Sequence, residues 1–184
     1  MSSKINVLGI VAGHIKTLKS SGESKLSFQD LFTFFLMPIL AAVLGVLLDL
    51  KLTDEVTSLL VNFGAIFTAL LLSVLVLVYD QGSKISDKIE GGNAAPVVHL
   101  KQKLLNELYF NICYSIVLSV SLVFLCLVEK LLRGHPLKID ISKFSLSIDI
   151  DLWISAPLVV FVTVHLMLTI LMIVKRMHTL LTSN

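Results

Sequence analysis

Four stretches of the chain, 31–48, 56–79, 108–128 and 152–174, contain no Asp, Glu, Lys or Arg over 18, 24, 21 and 23 residues. At a rise of ~1.5 Å per residue, against a hydrocarbon core roughly 30 Å thick, each is about long enough to cross a bilayer as a helix. Membrane strands are shorter, roughly 9–11 residues, and alternate in polarity. A soluble core has no use for four such runs, so the predicted class is an all-α integral membrane protein. Its four transmembrane helices form the domain 31–174, between a cytoplasmic amphipathic segment, 1–30, and a cytoplasmic tail, 175–184.

The segments between the runs carry signals of their own. In 4–19, Ile5, Leu8, Val11, Ala12, Ile15 and Leu18 recur at helical spacing, opposite Asn6, Gly9, Gly13 and Thr17. That helix either lies on the inner leaflet or packs on the protein's own cytoplasmic helices. Residues 20–24 read as a short break, and Ser27 with Asp30 as a capping box opening the first span. Thr53 is the expected N-cap of the second span, where Asp54 and Glu55 suit the positive end of the helix. In 80–107, Ile85 and Ile89 continue the second span's apolar stripe, and Gly91-Gly92 marks a stop. Pro96 then opens a segment whose Leu100, Leu104, Leu105 and Leu108 run into the third span. The loop is therefore expected to be a cytoplasmic helical hairpin, with Lys84, Lys88, Lys101 and Lys103 as a candidate surface for a cytosolic protein partner. Residues 137–152 change period: Leu137, Ile139 and Ile141, then Phe144, Leu146, Ile148, Ile150 and Leu152, alternate with polar residues. This predicts a short outer β-like segment with a phase slip at Ser142-Lys143.

Basic residues orient the spans. With both termini inside, ten Lys and Arg lie in cytoplasmic segments and five outside. The positive-inside rule then predicts a multi-pass protein of the cell (inner) membrane, with both termini and the 80–107 loop cytoplasmic. Composition agrees: 55% of the residues are hydrophobic and 15% charged, and mean hydropathy is +0.90. The net charge of +2 offers no broad basic face, so no direct nucleic-acid binding is expected. The first run starts too late, and lacks the small-residue site, for a cleaved signal peptide, and no lipidation box is found.

Catalytic and metal motifs are missing. His14, His99, His135, His165 and His178 are scattered with no i, i+4 pair, and no G-x-S-x-G, H-E-x-x-H or Walker loop occurs. Cys113 and Cys126 lie too far apart on one helix to pair and read as small apolar residues. A non-enzymatic protein without cofactor or metal is expected. No span holds a charge, which argues against ion-coupled transport and voltage sensing. The polar residues of interest inside the spans are His165, Asn62 and Asn111, read either as pore-lining groups or as hydrogen-bonding groups at helix interfaces. For His165 the interface reading has a Ser or Thr of a neighbouring helix as partner. Ala41/Gly45, Ala65/Ala69 and Ser115/Ser119 would let helices approach closely. Pro38 is expected to kink the first span, and Pro157 to open the last. Large side chains would fill one four-helix bundle, so a pore would need a homo-oligomer of several chains with a hydrophobic constriction as its gate.

His14-Ile-Lys-Thr-Leu-Lys19, Asp30-Leu-Phe-Thr-Phe-Phe-Leu-Met-Pro38, Gly64-Ala-Ile-Phe67 and Leu77-Val-Tyr-Asp80 give the first 80 residues their character. In these stretches the chain resembles small four-span bacterial membrane proteins of unknown biochemistry, some of them associated with anti-phage defence genes. The resemblance implies a membrane effector that forms a pore or perturbs the bilayer when a cytosolic partner signals, with an antiviral defence role. The competing class is a structural accessory subunit that anchors a larger complex in the membrane and conducts nothing. An intramembrane enzyme ranks third.

Overall fold

The computed structural model describes residues 7–18, 32–90, 96–133, 137–141, 144–148 and 151–182. Five helices account for most of them: α1 (Val7–Thr17), α2 (Phe32–Leu47), α3 (Asp54–Glu90), α4 (Pro96–Leu132) and α5 (Ala156–Thr182). Three of these, α3, α4 and the last helix counted from Trp153, are long and apolar enough to cross a membrane. At 37 residues each, α3 and α4 measure about 55 Å along their axes. They outrun a bilayer core, so the apolar runs continue without a break into helical arms over 80–90 and 96–107.

Within the described residues the first uncharged run is a shorter apolar helix, Phe32–Leu47. It forms a π-helical turn, Phe32–Leu36, followed by α-helix Met37–Leu47, and this is shorter than the expected 31–48 crossing. Its end is set by local chemistry. Asp49 adopts the left-handed conformation at φ 52°, which lets Asp49 N–H donate to the Val46 carbonyl at 3.1 Å and Leu50 N–H to the Gly45 carbonyl at 2.9 Å. These two bonds close the helix in a Schellman motif and spend carbonyls that another turn would have used. Thr53 then caps α3, its hydroxyl accepting the Val56 N–H at 3.3 Å.

Helix α4 is central, with α1, α3 and α5 packed along it, while α2 packs on α5. Thr57, Gly64, Leu71 and Val78 of α3, one every seven residues, are buried on the side that meets α4. Gly64 allows the closest approach. A Cβ there would lie 2.8 Å from Val123 Cγ2 and 3.1 Å from the Ser119 carbonyl. Of the expected small-residue pairs, Ser115/Ser119 is thus used at a packed interface, whereas Ala65 and Ala69 are exposed. Two apolar clusters fill the interior. One joins Leu71, Val78, Leu105, Leu108, Ile112 and Ile173, and the other Leu122, Cys126, Val159, Val162 and Leu166.

Strands β1 (Leu137–Ile141) and β2 (Phe144–Ile148) pair antiparallel, with Ile139 opposite Leu146. The expected alternation to Leu152 does not hold, because Asp151–Ser155 is a π-helical turn leading into α5. Helical bonding satisfies backbone groups that an unpaired strand would leave bare on entering hydrocarbon. The 20–24 break, the Ser27–Asp30 capping box, Gly91-Gly92 and the Ser142-Lys143 slip lie outside the described residues.

Candidate functional site

Two polar layers are buried in this apolar molecule, and the first is built around two histidines 151 positions apart. It begins with Pro38. A helix carbonyl normally receives the N–H four residues on, and for Phe34 that residue is Pro38, which has none. The imidazole of His165 on α5 reaches this carbonyl within the π-helical turn: its Nδ1 lies 2.8 Å from the Phe34 oxygen. Donating there leaves Nε2 unprotonated, where it accepts from the Tyr114 hydroxyl at 2.9 Å. Phe161 stacks on the same ring at 5.8 Å between centroids, and Phe35 tilts against it at 5.6 Å.

His14 completes the layer from α1. Its ring stacks on Tyr114 with centroids 4.0 Å apart and meets His165 edge-on at 6.4 Å. Its Nδ1 donates to the side-chain oxygen of Asn111 at 2.9 Å, and the Thr17 hydroxyl lies 2.7 Å from that same oxygen and from the His14 carbonyl. Arg176 of α5 donates to the Thr17 carbonyl at 2.6 Å and pairs with Glu107 of α4 at 3.3 Å. The guanidinium therefore caps the negative end of α1 while its own charge is balanced. Burial, the largest influence, pushes the His14 imidazole down to about 4, so the ring is neutral near pH 7. His14 Nε2 and Asn111 Nδ2 are buried with no hydrogen-bond partner among the described residues.

This docking reverses the expected polarity of α1. The side that enters the bundle is Gly13, His14 and Thr17 with Leu18, whereas Leu8, Ala12 and Ile15 of the apolar stripe are exposed. Hydrogen bonds held in a dry interface outweigh burial of Leu8, Ala12 and Ile15, which stay exposed on the far side. Contact is also close: a Cβ on Gly13 would run into the ring of Phe110. Replacing Gly13 with alanine should cost about 1–3 kcal/mol of α1 docking through overpacking. Faster hydrogen exchange over 7–17 would report that loss. Adding Phe110→Ala should slow the exchange again, and a double variant no better protected than the single one would refute the contact.

The second layer lies about 22 Å further along α4, counting from Tyr114 to Glu129. Glu129 is 0% exposed. Arg133, one turn on, approaches its Oε1 at 2.9 Å through Nε and at 2.5 Å through Nη2. The same guanidinium reaches Asp54 at 2.8 Å and the Thr57 hydroxyl at 3.1 Å, and Thr57 donates to Glu129 Oε2 at 3.2 Å. This network ties the start of α3 to the end of α4. Between the two layers, Leu122, Val159 and Val162 pack together, and the buried hydroxyls of Ser115 and Ser119 donate to carbonyls of their own helix, Asn111 and Ser115, at 2.9 Å each.

Of the residues singled out from sequence, His165 and Asn111 fall in one layer and are spent on intramolecular bonds. The partners of His165 are a tyrosine hydroxyl and a backbone carbonyl rather than a Ser or Thr side chain. Asn62 joins neither layer; it is exposed on α3. Lys84 pairs with Asp80 at 2.6 Å, Lys101 is half-buried, and the side chain of Lys88 lies outside the description. Lys103 lines the groove between the α3 and α4 arms, with Ser83, Asp87 and Glu90 facing His99 and Asn106. His14, Thr17, Tyr114, Arg176 and Glu129 were not selected from sequence. Only the Glu129–Arg133 spacing of four was visible there. Among the described residues no three His, Cys, Asp or Glu side chains gather as a metal site.

No protein-family model, curated protein or solved structure matches the chain. The layers themselves therefore carry the functional argument. Their chemistry is that of fasteners: each joins helices distant in sequence.

Proposed function

We propose that the protein is a non-enzymatic membrane effector that acts as an assembly of several copies, forming a pore or disturbing the bilayer. The observation that supports this reading is the closed interior of one chain. Apart from His14 Nε2 and Asn111 Nδ2, the side-chain groups around His165 bond one another or backbone, and between them and Glu129 large apolar side chains pack beside Ser115 and Ser119, whose hydroxyls bond their own helix. A permeation path would therefore run between copies and not through one. In this reading α2 is a fourth, short crossing that the bilayer accommodates by local thinning. Both termini and the two helical arms face the cytoplasm of a bacterial cell, where a cytosolic protein triggers the assembly in a defence response.

A second reading, an anchor that conducts nothing, draws on the polar groove between the arms as a seat for a soluble partner. Membrane potential separates the two. Cells expressing the intact chain should depolarise, read with a potential-sensitive dye, and a variant that stays monomeric should not depolarise them. Unchanged potential together with stoichiometric co-purification of a partner would establish the anchor instead.

A further inference from the structure

The least covered of the three long helices is α3: 17% of its apolar window is buried, against 33% in each of the other two. It packs extensively on α4 alone. Away from α4 it presents Leu59, Asn62, Ile66, Ala69, Ser73, Val76 and Asp80, every one exposed. The steps between them alternate three and four, which is the a/d spacing of a helix–helix seam. The polar members differ in one respect. The Ser73 hydroxyl donates to the Ala69 carbonyl of its own helix at 3.1 Å, and Asp80 is neutralised by Lys84 at 2.6 Å. The Asn62 amide has no hydrogen bond among the described residues. It stands about 12 Å along the helix from Asp54, inside the apolar run, where lipid offers it nothing.

We infer that this face of α3 is where a second copy of the chain docks, α3 against α3, with Asn62 pairing with Asn62. The inference rests on the assembly reading above and names its surface. The occupant follows from symmetry and chemistry. Copies inserted in the same orientation are related by an axis along the membrane normal, so their α3 helices run parallel and each residue meets its own counterpart at equal depth. A side chain at the seam must then be complementary to itself. A carboxamide is, because it carries both a donor and an acceptor, whereas a lone charge would repel its copy. Asp80 satisfies the same condition only because Lys84 neutralises it beside the seam. A buried asparagine at such a position also sets register, since a shifted pairing leaves both amides unbonded in hydrocarbon.

The test uses the full chain in native membranes and in lipid nanodiscs. Ala69→Cys places a thiol on the seam and Leu171→Cys one on the exposed side of α5. Oxidation should link Ala69→Cys chains into dimers and leave Leu171→Cys chains single. Adding Asn62→Leu, an apolar side chain on an exposed surface, should move the monomer–dimer balance about tenfold toward monomer, while Asn62→Gln keeps most of the pairing. Particle mass in nanodiscs distinguishes the failures. Multimers that cross-link at Leu171→Cys and not at Ala69→Cys overturn the α3 surface and leave the assembly reading standing. Monomers throughout overturn both. Cross-linking at Ala69→Cys that Asn62→Leu leaves unchanged overturns the amide as its basis.

Discussion

Arg133→Ala should lower the unfolding free energy of the detergent-solubilised protein by about 3–5 kcal/mol, the cost of leaving a buried carboxylate without its cation. Glu129 is fully buried, and Arg133 supplies its two shortest contacts, at 2.5 and 2.9 Å. Removing the guanidinium leaves the carboxylate with the Thr57 hydroxyl, too weak a partner to offset its desolvation. The loss is therefore a property of the stranded charge, and a second substitution should show it. Glu129→Leu in the Arg133→Ala background should recover most of the stability, because a packed apolar pair is often no worse than a buried ion pair. Unfolding curves for the two single variants and the double variant make the measurement. A double variant no more stable than Arg133→Ala would show that the buried charge is not what the arginine balances. Asp54, which is well exposed, contributes far less to this balance than Glu129.

His165→Leu should cost about 2–4 kcal/mol, since it strands two polar groups at membrane depth, the Phe34 carbonyl and the Tyr114 hydroxyl. Pro38 makes this prediction specific. If His165 stands in for the N–H that proline lacks, then Pro38→Ala restores a donor to Phe34 and makes the imidazole less necessary. The destabilisation by His165→Leu should accordingly shrink by at least about 1 kcal/mol in the Pro38→Ala background. Equal costs in both backgrounds would show that the histidine is held by packing alone. The same variant bears on function. A histidine used as an internal fastener should leave depolarisation per folded molecule unchanged, whereas a pore-lining histidine would alter it.

Much of the architecture was legible because bilayer crossing is a requirement on consecutive residues. The uncharged runs at 56–79, 108–128 and 152–174 needed no knowledge of their neighbours to be read as helices, and Thr53 announced the start of α3 within three residues. The first run is described as a shorter helix, Phe32–Leu47, for a local reason of another kind. Its residues satisfy the composition of a span, but Pro38 and the left-handed turn at Asp49 shape and end it, and composition counts neither. The inward side of α1 was legible only as weakly polar. That it docks through His14, Gly13 and Thr17 depends on Asn111, Phe110 and Arg176, which lie about a hundred or more positions away.

The candidate sites divide the same way. His165 and Asn111 stood out because a polar residue in an uncharged run is rare, and that rarity needs no structure. Their partners carried no such mark. Tyr114 reads as an ordinary aromatic, His14 sits outside every span, and the Phe34 carbonyl is backbone. Asn62 was conspicuous for the same reason as Asn111 and proved its opposite, exposed where the other is buried.

By itself the sequence determined three helices long and apolar enough to cross a membrane, the helical arms and the absence of charge from the apolar runs. Each of these follows from solvent, and lipid acts on a chain one segment at a time. The tertiary structure alone decided which polar side chains are consumed inside the molecule and which face outward. A hydrogen bond needs two partners within about 3 Å, and no pattern along one segment says what the other segment will bring.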